Sequence, residues 1–372
     1  MKILTKYILK EELSPFVIGL AFFTFVFILN PILRLVDMLV IKKVPIFMVL
    51  ELFFYLLPST IAIVLPMAAL VAVLMAYGRL SSDSEIIAMR ASGISYFHIF
   101  FPAILFGIII SLVGVYFNDT LLPEGNYAFM KLYKKIVQRK PLTEIDEHTL
   151  THIGNRIVGV DRIDKHKDIM YGIVIYEREK NGGIKTITAK EGKWIESREE
   201  RLPDGKILYI MRLQLIDGNI QQPSRVNLNE FTFIPFKKLI VNFSYEIQYS
   251  TKVAKGVREK KSGEILADIK RLTKEGRKPY NLWVELYKRY SIPFAAISFV
   301  IVALPFSMVS GRSGKSVSLG ISIIIIFVYY IFYAMGESIG KEGVLHPLLA
   351  MWLPNIIFIL IGAFFLYKIS HK

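Results

Sequence analysis

The run IFMVLELFFYLLPSTIAIVLPMAALVAVLMA fills positions 46–76 and carries a single charged residue, Glu51. At ~1.5 Å per residue a helix of that length exceeds the ~30 Å hydrocarbon core of a bilayer. It must tilt or bend to fit, and Pro58 and Pro66 are the expected bend sites. A soluble core helix has no use for so long an apolar run, so this stretch places the chain in a membrane. Working outward, a second apolar run covers 15–40, behind Lys2, Lys6 and Lys10. It is too long for the ~7–15-residue apolar region of a cleavable signal and ends in ILRLVDML, so it reads as a retained span. Further runs at 96–117, 291–309, 317–335 and 347–367 are each close to the ~20 residues a crossing helix needs. The expected architecture is an α-helical membrane protein with six transmembrane helices.

Composition agrees. Of 372 residues, 53% are hydrophobic and 21% charged, against ~25% charged in soluble domains. The net charge of +15 reads as membrane orientation and headgroup contact rather than nucleic-acid binding. With the N-terminus inside, the inner segments hold Lys2, Lys6, Lys10, Arg79, Arg90, Arg312, Lys315, Lys368 and Lys372, and the outer short loops only Lys42, Lys43 and Lys341. That bias puts both ends in the cytoplasm. With no cysteine, the chain has no disulfide, Cys-ligated zinc, iron–sulfur cluster or thiol nucleophile.

The middle of the chain, 118–280, has a different character. From 156 to 246 it offers short β-rich runs (RIVGVDRI, IMYGIVIYER, GIKTITAKEG, ILYIMRLQLIDG, FTFIPF, LIVNFSYEI) separated by turns such as NGG at 181–183 and LPDG at 202–205. Met211, Leu213 and Leu215 alternate with polar residues, as on a sheet with one apolar face. The expectation is an all-β, jelly-roll-like domain inserted between helices three and four. The chain then divides as 1–117 (helices one to three), 118–280 (the β domain and its linker) and 281–372 (helices four to six). The linker 251–280 carries ten Lys/Arg against four Asp/Glu, with a helix expected over 263–272.

Few residues suggest catalysis. GRSGKS at 311–316 imitates a phosphate loop, but the Walker A spacing needs a glycine at 309, where the chain has Val309, and no strand precedes it. It reads as a basic loop between spans, so ATP-driven work needs a separate subunit. His98, His148, His152, His166, His346 and His371 show no metal-ligand spacing, and no G-x-S-x-G elbow exists. No cofactor is expected.

Two regions do suggest function. The loop GRLSSDSEIIAMRASGIS, 78–95, contains a short helix within 82–91, capped by Ser82 or Asp83, with Glu85 in its first turn and Gly93 at its end. Exposed between two spans, it is either a docking element for a soluble partner or a solvated turn. Near the end of the first span stand Arg34 and Asp37; an arginine at membrane depth faces a cavity or partner, snorkels, or pairs with the acid three residues on. Aromatic residues fill the spans, most of them facing lipid or packing, and a subset on spans one, two and five, with Tyr330 and Tyr333 as candidates, is suited to lining an acyl-chain cavity.

The segment PMAALVAVLMAYGRLSSDSEIIAMRASGIS (66–95) resembles the signature of the LptF/LptG (YjgP/YjgQ) permeases of the lipopolysaccharide ABC exporter. So does ELYKRYSIPFAAISFVIVALPFSMVSGRSGKS (285–316), with its E-x-x-x-R pair Glu285 and Arg289. The likeness covers the spans closely and the β region weakly. It implies a permease half, not itself an enzyme, in a bacterial inner membrane, with the β domain in the periplasm. The implied partners are an LptB-like ATPase dimer, a second LptF/LptG-type half, LptC-like and LptA-like periplasmic proteins, and lipopolysaccharide or a related glycolipid. Asp83, Ser84, Glu85, Met89 and Arg90 would dock on the ATPase, Glu85 meeting a basic residue there. Arg34, Lys42 and Lys43 would contact lipid phosphates. Two competitors remain at this level: another ABC permease, of the lipoprotein-release or mechanotransmission type, and a membrane enzyme acting on lipid-linked sugars. Six spans and a mid-chain insertion oppose the first, and the lack of paired acids or a metal site opposes the second.

Overall fold

The computed structural model describes residues 2–40, 44–139, 147–153, 156–164, 169–178, 183–201, 207–223, 231–247, 255–310 and 315–371. Six of its helical runs are long and apolar enough to cross a membrane. They include α1 (Lys2–Val40) and α2 (Ile46–Ser82), with the short α3 (Glu85–Ala91) following. Next, α4 (Tyr96–Tyr116) passes through a π-helical turn, Phe117–Leu121, into α5 (Leu122–Arg139). The helical run thus continues beyond the 117/118 boundary that hydropathy suggests. α6 (Ser262–Lys274), α7 (Tyr280–Ser310), α8 (Lys315–Glu342) and α9 (Pro347–Ser370) complete the helices. Between α5 and α6 lie six strands: β1 (Thr149–Ile153), β2 (Arg156–Asp164), β3 (Ile169–Arg178), β4 (Ile184–Arg201), β5 (Ile207–Pro223) and β6 (Phe231–Ile247). The chain is therefore a mostly helical membrane protein with an antiparallel sheet inserted mid-chain, as expected.

The chain forms two compact units: Met1–Arg34, Leu50–Met130 and Lys255–Lys372 in one; Leu35–Val49 and Lys131–Ala254 in the other. In the helical unit α2 and α7 are the most buried spans and α1 the least, at 72%, 72% and 22% of their most apolar stretches. Apolar side chains gain nothing by leaving lipid, so close packing through small residues must hold such helices together. Gly336 and Gly340, four apart on α8, let α9 approach: a side chain on Gly336 would strike the Ala350 carbonyl oxygen, and one on Gly340 the Ala350 side chain. The same Ala350 carbonyl is the one Pro354 leaves without its helical N–H. Gly362 of α9 lies equally close to Ile301 of α7, and Gly107 and Gly114 of α4 to Val300 and Pro293. Buried Asn355 fastens α7, α8 and α9 together: its Nδ2 donates to the Ser291 carbonyl (2.8 Å), while its Oδ1 accepts from Tyr329 (3.0 Å) and Ser298 (3.1 Å). α2 stays one uninterrupted helix through Pro58 and Pro66, with Ser59 and Thr60 both bonding back to the Leu56 carbonyl.

The strands pair in sequence order, every pair antiparallel. From β2 to β6 the pairing is interrupted at one shared row: Asp161, Gly172, Lys190, Asp217 and Lys237. Gly172 and Asp217 have positive φ there, 63° and 51°. At that row the inward residues step by three instead of two, on every strand: Val160 to Ile163, Met170 to Ile173, Ala189 to Gly192, Leu215 to Gly218, Phe236 to Leu239. A common change of phase is a crease, and across it Arg156 of β2 donates to the Asn242 carbonyl of β6 and covers the Phe243 ring, so the sheet folds over its own apolar face into two leaves. Val158, Ile175, Leu213 and Leu215 are fully buried inside. Gly218, beside the crease, has no room for a side chain between the Thr188 carbonyl and the Phe236 ring.

Candidate functional site

The loop between α2 and α4 is the most structured functional candidate. α2 ends at Ser82, and Ser84 turns the chain at φ 60° without any side-chain cap, so α3 starts at Glu85 and neither Ser82 nor Asp83 caps it. The other end follows the sequence: Gly93 adopts φ 83°, and its N–H bonds Arg90 O while Ile94 N–H bonds Met89 O, a Schellman stop. Ile86 and half-buried Met89 anchor α3 on the bundle, whereas Asp83, Ser84, Ile87, Ala88 and Arg90 face out. Ile87 is 67% exposed. α3 is thus an anchored helix with a Schellman stop that exposes an apolar side chain, not a frayed turn. Arg90 is already engaged, lying over the Tyr96 ring at 4.3 Å and donating to Ile94 O at 3.2 Å.

Glu85 is also engaged within the chain. The Tyr7 hydroxyl of α1 lies 2.9 and 3.2 Å from its two carboxylate oxygens. Arg79 Nη2 of α2 donates to Tyr7 Oη (3.3 Å), pairs with Glu11 (2.7 Å) and stands 4.0 Å from Glu85. Sequence reasoning missed Tyr7, Glu11 and Arg79. Only the i,i+4 spacing of Tyr7 and Glu11 was available as a signal.

The lipid candidates are not gathered into one place. Arg34 is exposed on α1 and has no ion pair among the described residues. Lys42 and Lys43 lie outside the described residues, as do Gly311, Arg312, Ser313 and Gly314 of the phosphate-loop imitation. Tyr330 is half-buried against a cluster of Phe23, Val64, Met67 and Val71. Tyr333 is buried, stacked on Tyr329, so in this chain it packs the bundle rather than lining an open surface. Among the described residues no group of His, Asp and Glu is placed to hold a metal.

The chain returning from the strands is fixed to the helical unit by charge. Arg289 of α7, only 3% exposed, donates to Val257 O (3.2 Å) and stands 3.9 Å from Asp119 in the π-helical turn. Asp119 in turn accepts from Ser262 N–H (3.1 Å) at the start of α6. Hydrogen bonds from Lys255 and Lys260 hold Glu264 and Asp268 below the usual carboxylate range, and Glu124 raises the Lys261 ammonium.

Six membrane-length helical runs, a short anchored helix exposed between two of them and a sheet inserted mid-chain define a multi-span membrane protein with a β unit between its helices. A family model described as the lipopolysaccharide export system permease LptF/LptG matches residues 6–368. The chain belongs to this family, a permease component of an ABC exporter. Among curated relatives, the lipopolysaccharide export system permease protein LptG of Escherichia coli (strain K12) is 21% identical over 324 residues, 84% of this chain and 83% of that protein. An uncharacterized protein of Rickettsia prowazekii (strain Madrid E) is 23% identical over 200 residues. That alignment spans about half of each protein, 52% of this chain and 53% of the relative.

Proposed function

We propose that this chain is one membrane half of a lipopolysaccharide exporter, paired with a related half and powered by a separate ATPase dimer. The observation that carries the reading is α3: a short helix, fastened by Ile86 and a Schellman stop, that presents Ile87 and Ala88 to a partner. On this reading α3 and both chain ends lie in the cytoplasm, and the sheet unit lies in the periplasm. Asp83, Ser84, Glu85 and Ile87 form the contact with the ATPase; Met89 and Arg90 hold the helix in shape.

Lipid enters beside α1 and α8, the two spans whose most apolar stretches are least buried. Arg34, with Lys42 and Lys43, attracts the phosphates of the sugar headgroup, and Tyr330 borders the acyl chains. The folded sheet receives the lipid and passes it to periplasmic partners of LptC and LptA type. Its last strand supports this, being an edge with no further strand beside it among the described residues and exposing Phe231, Phe233 and Ile240. ATP supplies the bias between two states of differing lipid affinity.

The test is Glu85→Lys, which reverses a charge on α3 and also gives up the bond from Tyr7, so ATPase copurification is the readout that reports docking itself. Copurification with the ATPase and ATP-dependent release of lipopolysaccharide from vesicles should both fall by about tenfold or more. Undiminished ATPase binding together with undiminished release would remove α3 as the docking element.

A further inference from the structure

We infer, on the reading of α3 given above, that Tyr7 and Arg79 are positioning residues that make the first span follow the ATPase-contacting helix. Four side chains on three elements meet here: Tyr7 and Glu11 on α1, Arg79 at the end of α2, and Glu85 at the start of α3. Their bonds form one network. Arg79 donates to Tyr7, Tyr7 donates to Glu85, and Arg79 also pairs with Glu11. A lone surface ion pair does little, but a chain of charge-assisted hydrogen bonds is stronger than its members taken singly.

Its position adds leverage. α1 is the least buried of the six spans, and α3 is the exposed helix beside it. α1 rests on the bundle through one stripe, Ile8, Glu12, Phe16 and Phe23, so a polar tie beside that stripe shares in setting where its N-terminal end stands. A displacement of α3 must then either carry the end of α1 along or break the Tyr7–Glu85 bond. A basic residue of the ATPase approaching Glu85 competes for the same carboxylate, so docking and the position of α1 become linked. That is a two-state element biased at one site and read at another.

The experiment uses the full-length chain coexpressed with its companion half and ATPase, and lipopolysaccharide as cargo. The chain has no cysteine, so Val17→Cys on α1 and Ile361→Cys on α9, both exposed, take spin labels without background. ATP should shift the label separation in the otherwise unaltered chain. With Tyr7→Phe, which keeps the ring at a 38% exposed site, the ATPase should still copurify. The ATP-dependent shift should be largely lost, and lipid released per ATP should fall about tenfold, as for loss of one hydrogen bond to a charged group. Arg79→Gln removes the donor to Tyr7 and the pair with Glu11 but leaves the Tyr7–Glu85 bond, so it should weaken the shift less, and the double variant should be little worse than Tyr7→Phe alone. A shift and release in Tyr7→Phe equal to those of the parent chain would overturn the tie while leaving the docking reading intact. Failure of the parent chain to bind any ATPase would overturn both.

Discussion

The helical unit and the sheet unit bury apolar surface by opposite means. In the helices, backbones approach each other because side chains are missing: Gly336, Gly340 and Gly362 bring α8 and α7 against α9. In the sheet, large side chains such as Met170, Ile173, Met211 and Phe243 fill the space between two leaves of one folded surface. The difference follows from the solvent. Lipid leaves helices no hydrophobic reason to associate, while water drives a half-apolar sheet to close on itself. Glycine is needed in both, as a contact surface in one and as a hinge in the other.

Substitutions that insert atoms at these two kinds of glycine should separate the units. Gly336→Leu drives a side chain into the Ala350 backbone, so the bundle should lose about 3 kcal/mol or more. Monodisperse yield in detergent should collapse. Gly320→Leu, on the same helix with nothing within 4 Å, should behave as the unaltered chain. If both fold equally well, close approach is not what fastens α8 to α9.

Gly218→Val tests the crease. The added methyls meet Thr188 O and Phe236, and the leaves should part at a cost of ~1–3 kcal/mol. Hydrogen exchange should quicken in β4, β5 and β6 and leave α7 and α9 unchanged. Exchange that rises as much in α7 and α9 as in these strands would contradict a role for Gly218 in the sheet alone.

A smaller effect of opposite sign is expected at Glu12. It is wholly buried on α1, and neither carboxylate oxygen has a partner among the described residues. Glu12→Met removes that unsatisfied group at similar volume and should stabilise the bundle by ~1 kcal/mol. A rise in the thermal midpoint checks this; a fall would show that the acid has a partner.

The smallest change concerns pH. Glu264 and Asp268 are held below the ordinary carboxylate range by Lys255 and Lys260. A depressed acid stabilises the fold above its unfolded pKa and loses that contribution as pH falls through its folded one. Exchange protection of α6 should therefore be constant from pH 7 down to about 5 and weaken below about 4. Loss of protection already between pH 7 and 5 would implicate other groups.

The six spans were legible because an uninterrupted apolar run longer than a bilayer is thick admits one reading. The stop at Gly93 was equally legible, since a left-handed C-terminal residue is a local requirement that glycine meets. The start of α3 was not, because the turn at Ser84 is imposed by the reversal from α2 rather than by any capping side chain. The sheet lies between these cases. Its alternation was visible in Met211, Leu213 and Leu215, yet the step of three at Asp161, Gly172, Lys190, Asp217 and Lys237 has meaning only once register places those five residues in one row. The tie of Tyr7 to Glu85 spans 78 positions and leaves no periodic trace. Local chemistry and hydropathy determined which segments cross the membrane and which form strands. Which side chains meet at the base of α1, and where the sheet folds, were decided only by tertiary packing, because distances between segments far apart in the chain are set by the packing of everything between them.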